Sequence, residues 1–241
     1  MDSDEKIIER YNNDWFDISF SPYITESFIR KYKDDVNWDI ISLYQPLSDS
    51  FIREFADKLN WNKLINFKIL SNALIRDFYY KFDWNLMSHK RLSKPIICEF
   101  ANYVNWVYIS KYQKLDETFI RKFADTVDWD CISKFQILSE AFIREFKSKV
   151  HWNNISEKQV LSEKFIREFA DKVNWNKISY YQILSESFIE EFSDKVNWLN
   201  ISSKQKLSES FICKYKYNVG WFTISECQKL SESFIWKFKN Y

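Results

Sequence analysis

The side chains that could do chemistry are few. Two histidines, His89 and His151, four cysteines, Cys98, Cys131, Cys213 and Cys227, and a recurring Ile-Ser dipeptide make up the stock for a nucleophile, a general base or a soft-metal site. A serine nucleophile needs a base within hydrogen-bond reach, and no histidine or other base accompanies the Ile-Ser serines. Neither histidine has a second ligand or an acid/base partner at a recognisable spacing. The cysteines form no C-x-x-C pair and no Cys/His zinc spacing, so free thiols in a reducing compartment are expected. Gly220 stands alone, which rules out a glycine-rich phosphate loop. No catalytic residue, cofactor or metal is expected, and the chain does not read as an enzyme.

Two polar rows recur instead. Glutamine stands seven residues after a tryptophan at Gln45, Gln113, Gln136, Gln159, Gln182, Gln205 and Gln228. Such amides could grip an extended peptide or read base edges. The structural alternative, which is favoured, is that each satisfies open carbonyls at a helix end or in a neighbouring loop. Arginine recurs at Arg30, Arg53, Arg76, Arg121, Arg144 and Arg167. That row could form a rail for phosphate or for an acidic partner. Glu163 and Glu140 lie four residues before Arg167 and Arg144, however, so a surface ion-pair face is favoured.

The elements that position these rows follow from the tryptophans, at 15, 38, 61, 84, 106, 129, 152, 175, 198 and 221. The spacing is 23 residues throughout, except for 22 between Trp84 and Trp106. A fixed period over the whole chain means a repeat array. Within a unit Phe165, Ile166, Phe169 and Val173 fall on one helical face, as do Trp152, Ile155 and Gln159. The residue before the tryptophan is Asn or Asp in eight of ten units, and Thr25, Ser48, Ser71, Ser93, Asp116, Ser139, Ser162, Ser185, Ser208 and Ser231 precede a second segment. Both are N-cap signals. Each unit is predicted to hold two antiparallel helices of about eight and ten residues, near 12 and 15 Å long. The missing residue after Trp84 is expected in the connecting loop, where a deletion is easiest to absorb.

The fold expected is an all-α solenoid of about ten two-helix repeats, in one repeat domain over residues 15–241 behind a divergent N-terminal cap over 1–14. Composition agrees: 46% hydrophobic and 20% aromatic residues exclude disorder, and one Gly with three Pro starves a turn-rich β fold. A net charge of +1 argues against both a general polyanion binder and a DNA mimic. No apolar run approaches the roughly 18 residues that span a bilayer. The opening MDSDEKIIER has no signal-peptide core, so a cytoplasmic protein is expected.

Departures from the repeat are where a partner would be read. Phe16, Val107, Tyr108, Leu199, Phe222 and Cys227 intrude on mostly polar variable columns. Phe20, Tyr44, Phe67, Tyr79, Tyr80, Tyr103, Tyr108, Tyr112 and Tyr181 are candidate exposed aromatics. The unit W-x-x-I-S-x-x-Q-x-L-S-E-x-F-I-R-E-F-x-D-K-V-N, best kept at 161–175, resembles a repeat found in many copies in mimivirus-type giant DNA viruses and in other viruses and phages. The resemblance covers essentially residues 15–241 and implies a viral origin, but it carries no catalytic residue. The leading expectation is a scaffold that binds a host or viral protein. The alternatives are a nucleic-acid binder using the Arg and Gln rows and a self-assembling element that stacks through its ends, cued by Phe234–Tyr241.

Overall fold

The computed structural model describes residues 3–239. Every regular element among them is helical, and the fold is an all-α solenoid of about ten two-helix repeats. Contacts divide the chain into two compact units, Met1–Gln113 and Lys114–Tyr241. No described helix is long and apolar enough to cross a membrane.

The second unit shows the regular repeat. Its first helices, such as Trp152–Lys158 and Trp175–Tyr181, have seven residues, and its second helices, such as Glu163–Glu168, have six. Both are shorter than the sequence suggests. The helix begun at Glu163 stops at Phe169, yet Phe169 N–H still donates to Phe165 O and Val173 N–H to Phe169 O. The apolar period therefore runs on through a tight turn that is not itself helix. That turn delivers the Asn174 backbone N–H to Ser156 Oγ of the preceding repeat at 2.9 Å.

Caps start the helices as expected. Asn174 Oδ1 accepts from Lys177 N–H, and Ser162 Oγ from Phe165 N–H at 3.2 Å. Ser93 is the exception among the ten second-helix caps: its side chain makes no capping bond, and Pro95 follows in the first turn. Each repeat then closes on three rings. In one repeat Trp152 lies 6.2 Å from Phe165 and 4.8 Å from Phe169, with the two phenylalanines 4.8 Å apart. The indole N–H donates to Lys147 O, satisfying a carbonyl of the turn before it. Phe165, Ile155 and Ile166 are fully buried, and each such side chain contributes about 1.5–3 kcal/mol before conformational entropy is counted. Helices this short are marginal alone, so the stacking of first helices on one another carries the array.

The first unit opens with a helix at Ser3–Arg10, tied down by a 2.9 Å Lys31–Asp4 ion pair. Asn12 and Asn13, at φ 51° and 60°, turn the chain into Trp15–Phe20; asparagine tolerates that left-handed conformation better than most residues. In the short repeat the missing residue comes out of the helix and not the loop: Trp84–His89 has six residues, and Lys90 N–H closes on Met87 O. Shortening the helix keeps Leu92 buried in the connector position that Leu161 fills in the regular repeat. Asn240 and Tyr241, at the end of the segment that prompted the self-assembly expectation, lie outside the described residues.

Candidate interaction surface

The glutamine row is committed to the frame. Gln159 Nε2 donates to Ser133 O and Gln136 O at 3.2 and 2.8 Å, while its Oε1 accepts from Leu138 N–H at 3.0 Å. Gln182 and Gln205 repeat the pattern one and two units on. Gln136 accepts from Leu115 N–H, and in the first unit Gln113 bonds Ser88 O, Lys90 O and Leu92 N–H. All five amides are buried. With both N–H groups used, an amide has no donor left for a peptide or a base. The Ile-Ser serines are committed in the same way: Ser156 Oγ donates to Trp152 O at 2.7 Å and accepts the next repeat's Asn174 N–H.

The arginine row is paired along its length, and mostly across repeats. Arg144 Nε meets Glu168 at 2.7 Å and its guanidinium covers the Phe165 ring at 4.9 Å, with Glu140 3.5 Å away on its own helix. Arg121 holds Glu145, and Arg167 holds Glu191. In the first unit Arg30, Arg53 and Arg76 hold Glu54, Asp77 and Glu99. The bond to Glu168 raises Arg144 above the ordinary guanidinium value. The intrahelical Glu–Arg pairing expected from spacing is present, but the shorter contacts run to the next repeat.

Aromatics make the accessible surface. Tyr44, Tyr112 and Tyr181 are exposed at the ends of first helices, beside the frame's buried glutamines. In the first unit Tyr44 packs edge-on against Phe20 at 4.6 Å, and Tyr108, half-buried, stacks on His89 at 3.7 Å with Tyr112 at 5.2 Å. In the second unit Tyr180 and Tyr181 lie 4.6 Å apart, with Lys204 over Tyr180. Lys158 and Lys177 both bond Glu157 beside them and hold its carboxyl down to about 2.

One row escaped the sequence reading. Ile137, Val160 and Ile183, each following a glutamine, are 90%, 95% and 94% exposed. The connector is extended, with Gln159 at ψ 148°, so buried Gln159 and Leu161 point inward and Val160 outward. Gln-to-carbonyl bonds between successive connectors set the three aliphatics side by side. The signal was there: an aliphatic residue between two inward positions of an extended link has to face water.

No match is found to protein-family models, to curated proteins or to solved structures. Among the described residues no group of three or more His, Cys, Asp or Glu side chains is placed to hold a metal ion. His89 bonds Asn85 O through Nδ1, and His151 caps its helix without a side-chain bond.

Proposed function

We propose that the chain is a non-enzymatic repeat scaffold that binds a protein, host or viral, in the cytoplasm of an infected cell. The observation that carries this reading is the row Ile137, Val160 and Ile183. Three aliphatics almost wholly in water, in three successive repeats with Phe135 and Tyr181 beside them, form an apolar strip that a scaffold without a partner has no physical reason to keep. The same column holds exposed lysines on both sides, Lys114 before the aliphatics and Lys206 and Lys229 after them, so the complementary surface is an apolar ridge flanked by acidic residues. A nucleic-acid role draws less support, because each arginine of the row already holds a carboxylate.

The test is affinity capture from infected-cell lysate, with nuclease present, using the wild type and the triple variant Ile137→Lys, Val160→Lys, Ile183→Lys. Circular dichroism checks that both are folded, and Asp171→Lys, at an exposed position in the turn that follows Glu163–Glu168 rather than in a connector, serves as control. A protein captured by the wild type and the control but lost from the triple variant supports the reading. Equal capture by the folded triple variant overturns it.

A further inference from the structure

Apart from Pro22 in the opening repeat, the frame breaks its own rule in two successive repeats. The glutamine slots after Trp61 and Trp84 hold Lys68 and Lys90, and the serine slot between them holds Ile65. A lysine can imitate the glutamine's donor but has no acceptor and brings a charge. Lys68 Nζ donates to Gln45 O, and Lys90 Nζ donates to Asn66 O at 2.9 Å. Between them lies a cleft of about 230 Å³. Its floor includes Ile65, Ile75, Met87 and Leu92, all buried, and its rim carries Lys68, Lys90 and Arg91.

No carboxylate lines this cleft. Other first-unit lysines do hold acids: Lys58 holds Asp34, Lys63 holds Asp39 and Lys81 holds Asp57. Lys68, Lys90 and Arg91 make no ion pair among the described residues. Burial pulls Lys68 down to about 8 although Glu26, which lines the neighbouring cleft with it, acts in the opposite sense. Half-buried Lys90 has no carboxylate in ion-pair reach, and a partly buried ammonium without a counter-charge is costly. What the cleft lacks is therefore an anion, and what its floor offers is apolar contact.

We propose that this cleft binds a short apolar carboxylate, its tail against Ile65, Ile75, Met87 and Leu92 and its head group among Lys68, Lys90 and Arg91. Inorganic anions would leave the floor in water, and a neutral apolar molecule would leave Lys90 and Arg91 without an ion-pair partner. The cavity is smaller than the roughly 300–1,000 Å³ of drug-sized sites, which limits the ligand to a single unbranched chain of modest length. A free acid or the C-terminal residue of a peptide presents the same chemistry. This cleft and the apolar strip of the second unit share no residue, so either can fail without the other.

The probe is octanoate, read from the methyl signal of Met87 in protein labelled at methionine. The Met87 signal is expected to shift saturably with octanoate, with 1-octanol at least tenfold weaker. The variant Lys68→Gln/Lys90→Gln, which installs the residue used in other repeats, should lower affinity at least tenfold. Lys68→Gln alone, tested beside it, should lower it by a smaller factor. An unmoved signal at millimolar octanoate overturns the proposal, as does equal binding of octanol or undiminished binding by folded variants. A pentapeptide ending in leucine, compared with its C-terminal amide, separates the two sources. Acid-dependent peptide binding tighter than that of octanoate assigns the site to chain ends, and the reverse order assigns it to free acids.

Discussion

The repeats from Trp129 to Gln205 and those from Trp38 to Leu92 share a period but not a bonding scheme. In the former each connector is clamped by the glutamine of the following repeat, which takes up the connector's glutamine carbonyl and leucine N–H. In the latter lysines stand where that clamp should be, and a cleft opens at the joint. The tryptophan keeps its second ring in both, Trp61 on Phe78 and Trp84 on Phe100 as Trp152 on Phe169, although Leu74 and Ile96 replace the first phenylalanine. Closing the core and sealing the joint are therefore separate tasks. Aromatic packing does the first. One amide per repeat does the second, and where it is replaced the surface gains charge and space.

The sharpest way to break this contrast is Gln159→Ala. It strands two carbonyls and the Leu138 N–H in a buried joint, and should cost about 2–4 kcal/mol in urea unfolding. Leu138 should also lose hydrogen-exchange protection. A loss within the error of surface variants would show that water replaces the amide.

Running the exchange in the other direction, Lys68→Gln should stabilise the chain by about 1 kcal/mol, because it gives the Leu47 amide an acceptor in place of an ammonium. The gain should depend on pH. Native Lys68 releases its proton near 8, whereas the unfolded chain holds it to about 10.4. Between those values the unfolded state binds more protons, so the wild type becomes relatively more stable as pH rises. Unfolding at pH 7 and at pH 9.5 should show the advantage of Lys68→Gln narrowing at the higher pH. A constant difference would mean that Lys68 titrates normally.

The smallest effect is expected at Arg144→Ala. Its pairs with Glu168 and Glu140 are exposed, and such pairs contribute less than about 1 kcal/mol. Part of any loss should survive high salt, because the guanidinium also shields the face of Phe165. Complete loss of the effect in salt would reduce the arginine row to charge alone.

What could be read from sequence was whatever is encoded locally. The 23-residue tryptophan period, the Asn and Asp caps and the two helical faces all lie within a single unit, and they yielded the solenoid. Helix ends were harder: the second helix stops at a phenylalanine such as Phe169, with no glycine or asparagine to announce it. For the same reason spacing alone puts the residue missing after Trp84 in a loop, whereas the structure takes it out of the helix. Structural roles for Gln159 and Arg144 were preferred, but their partners lie in neighbouring repeats, a distance that spacing within one unit does not reveal. The exposed Ile137–Val160–Ile183 row was missed because exposure there depends on an extended connector, not on helical period.

The bonds that join repeats also have a direction. Ser156 reaches forward to Asn174, Arg144 reaches forward to Glu168, and Gln182 reaches back to Gln159. Each regular unit offers the same half-joint ahead and the complementary half behind, so any regular unit can follow any other. Duplicating or deleting a whole unit at the genetic level would then leave every joint intact, and the array can change length in one recombination event. A single-residue insertion has no such freedom, and neither does a unit carrying Lys68, whose neighbours must live with an unsealed joint. Length is thus the cheap variable in this architecture, and the irregular units mark places where exchange would not be silent.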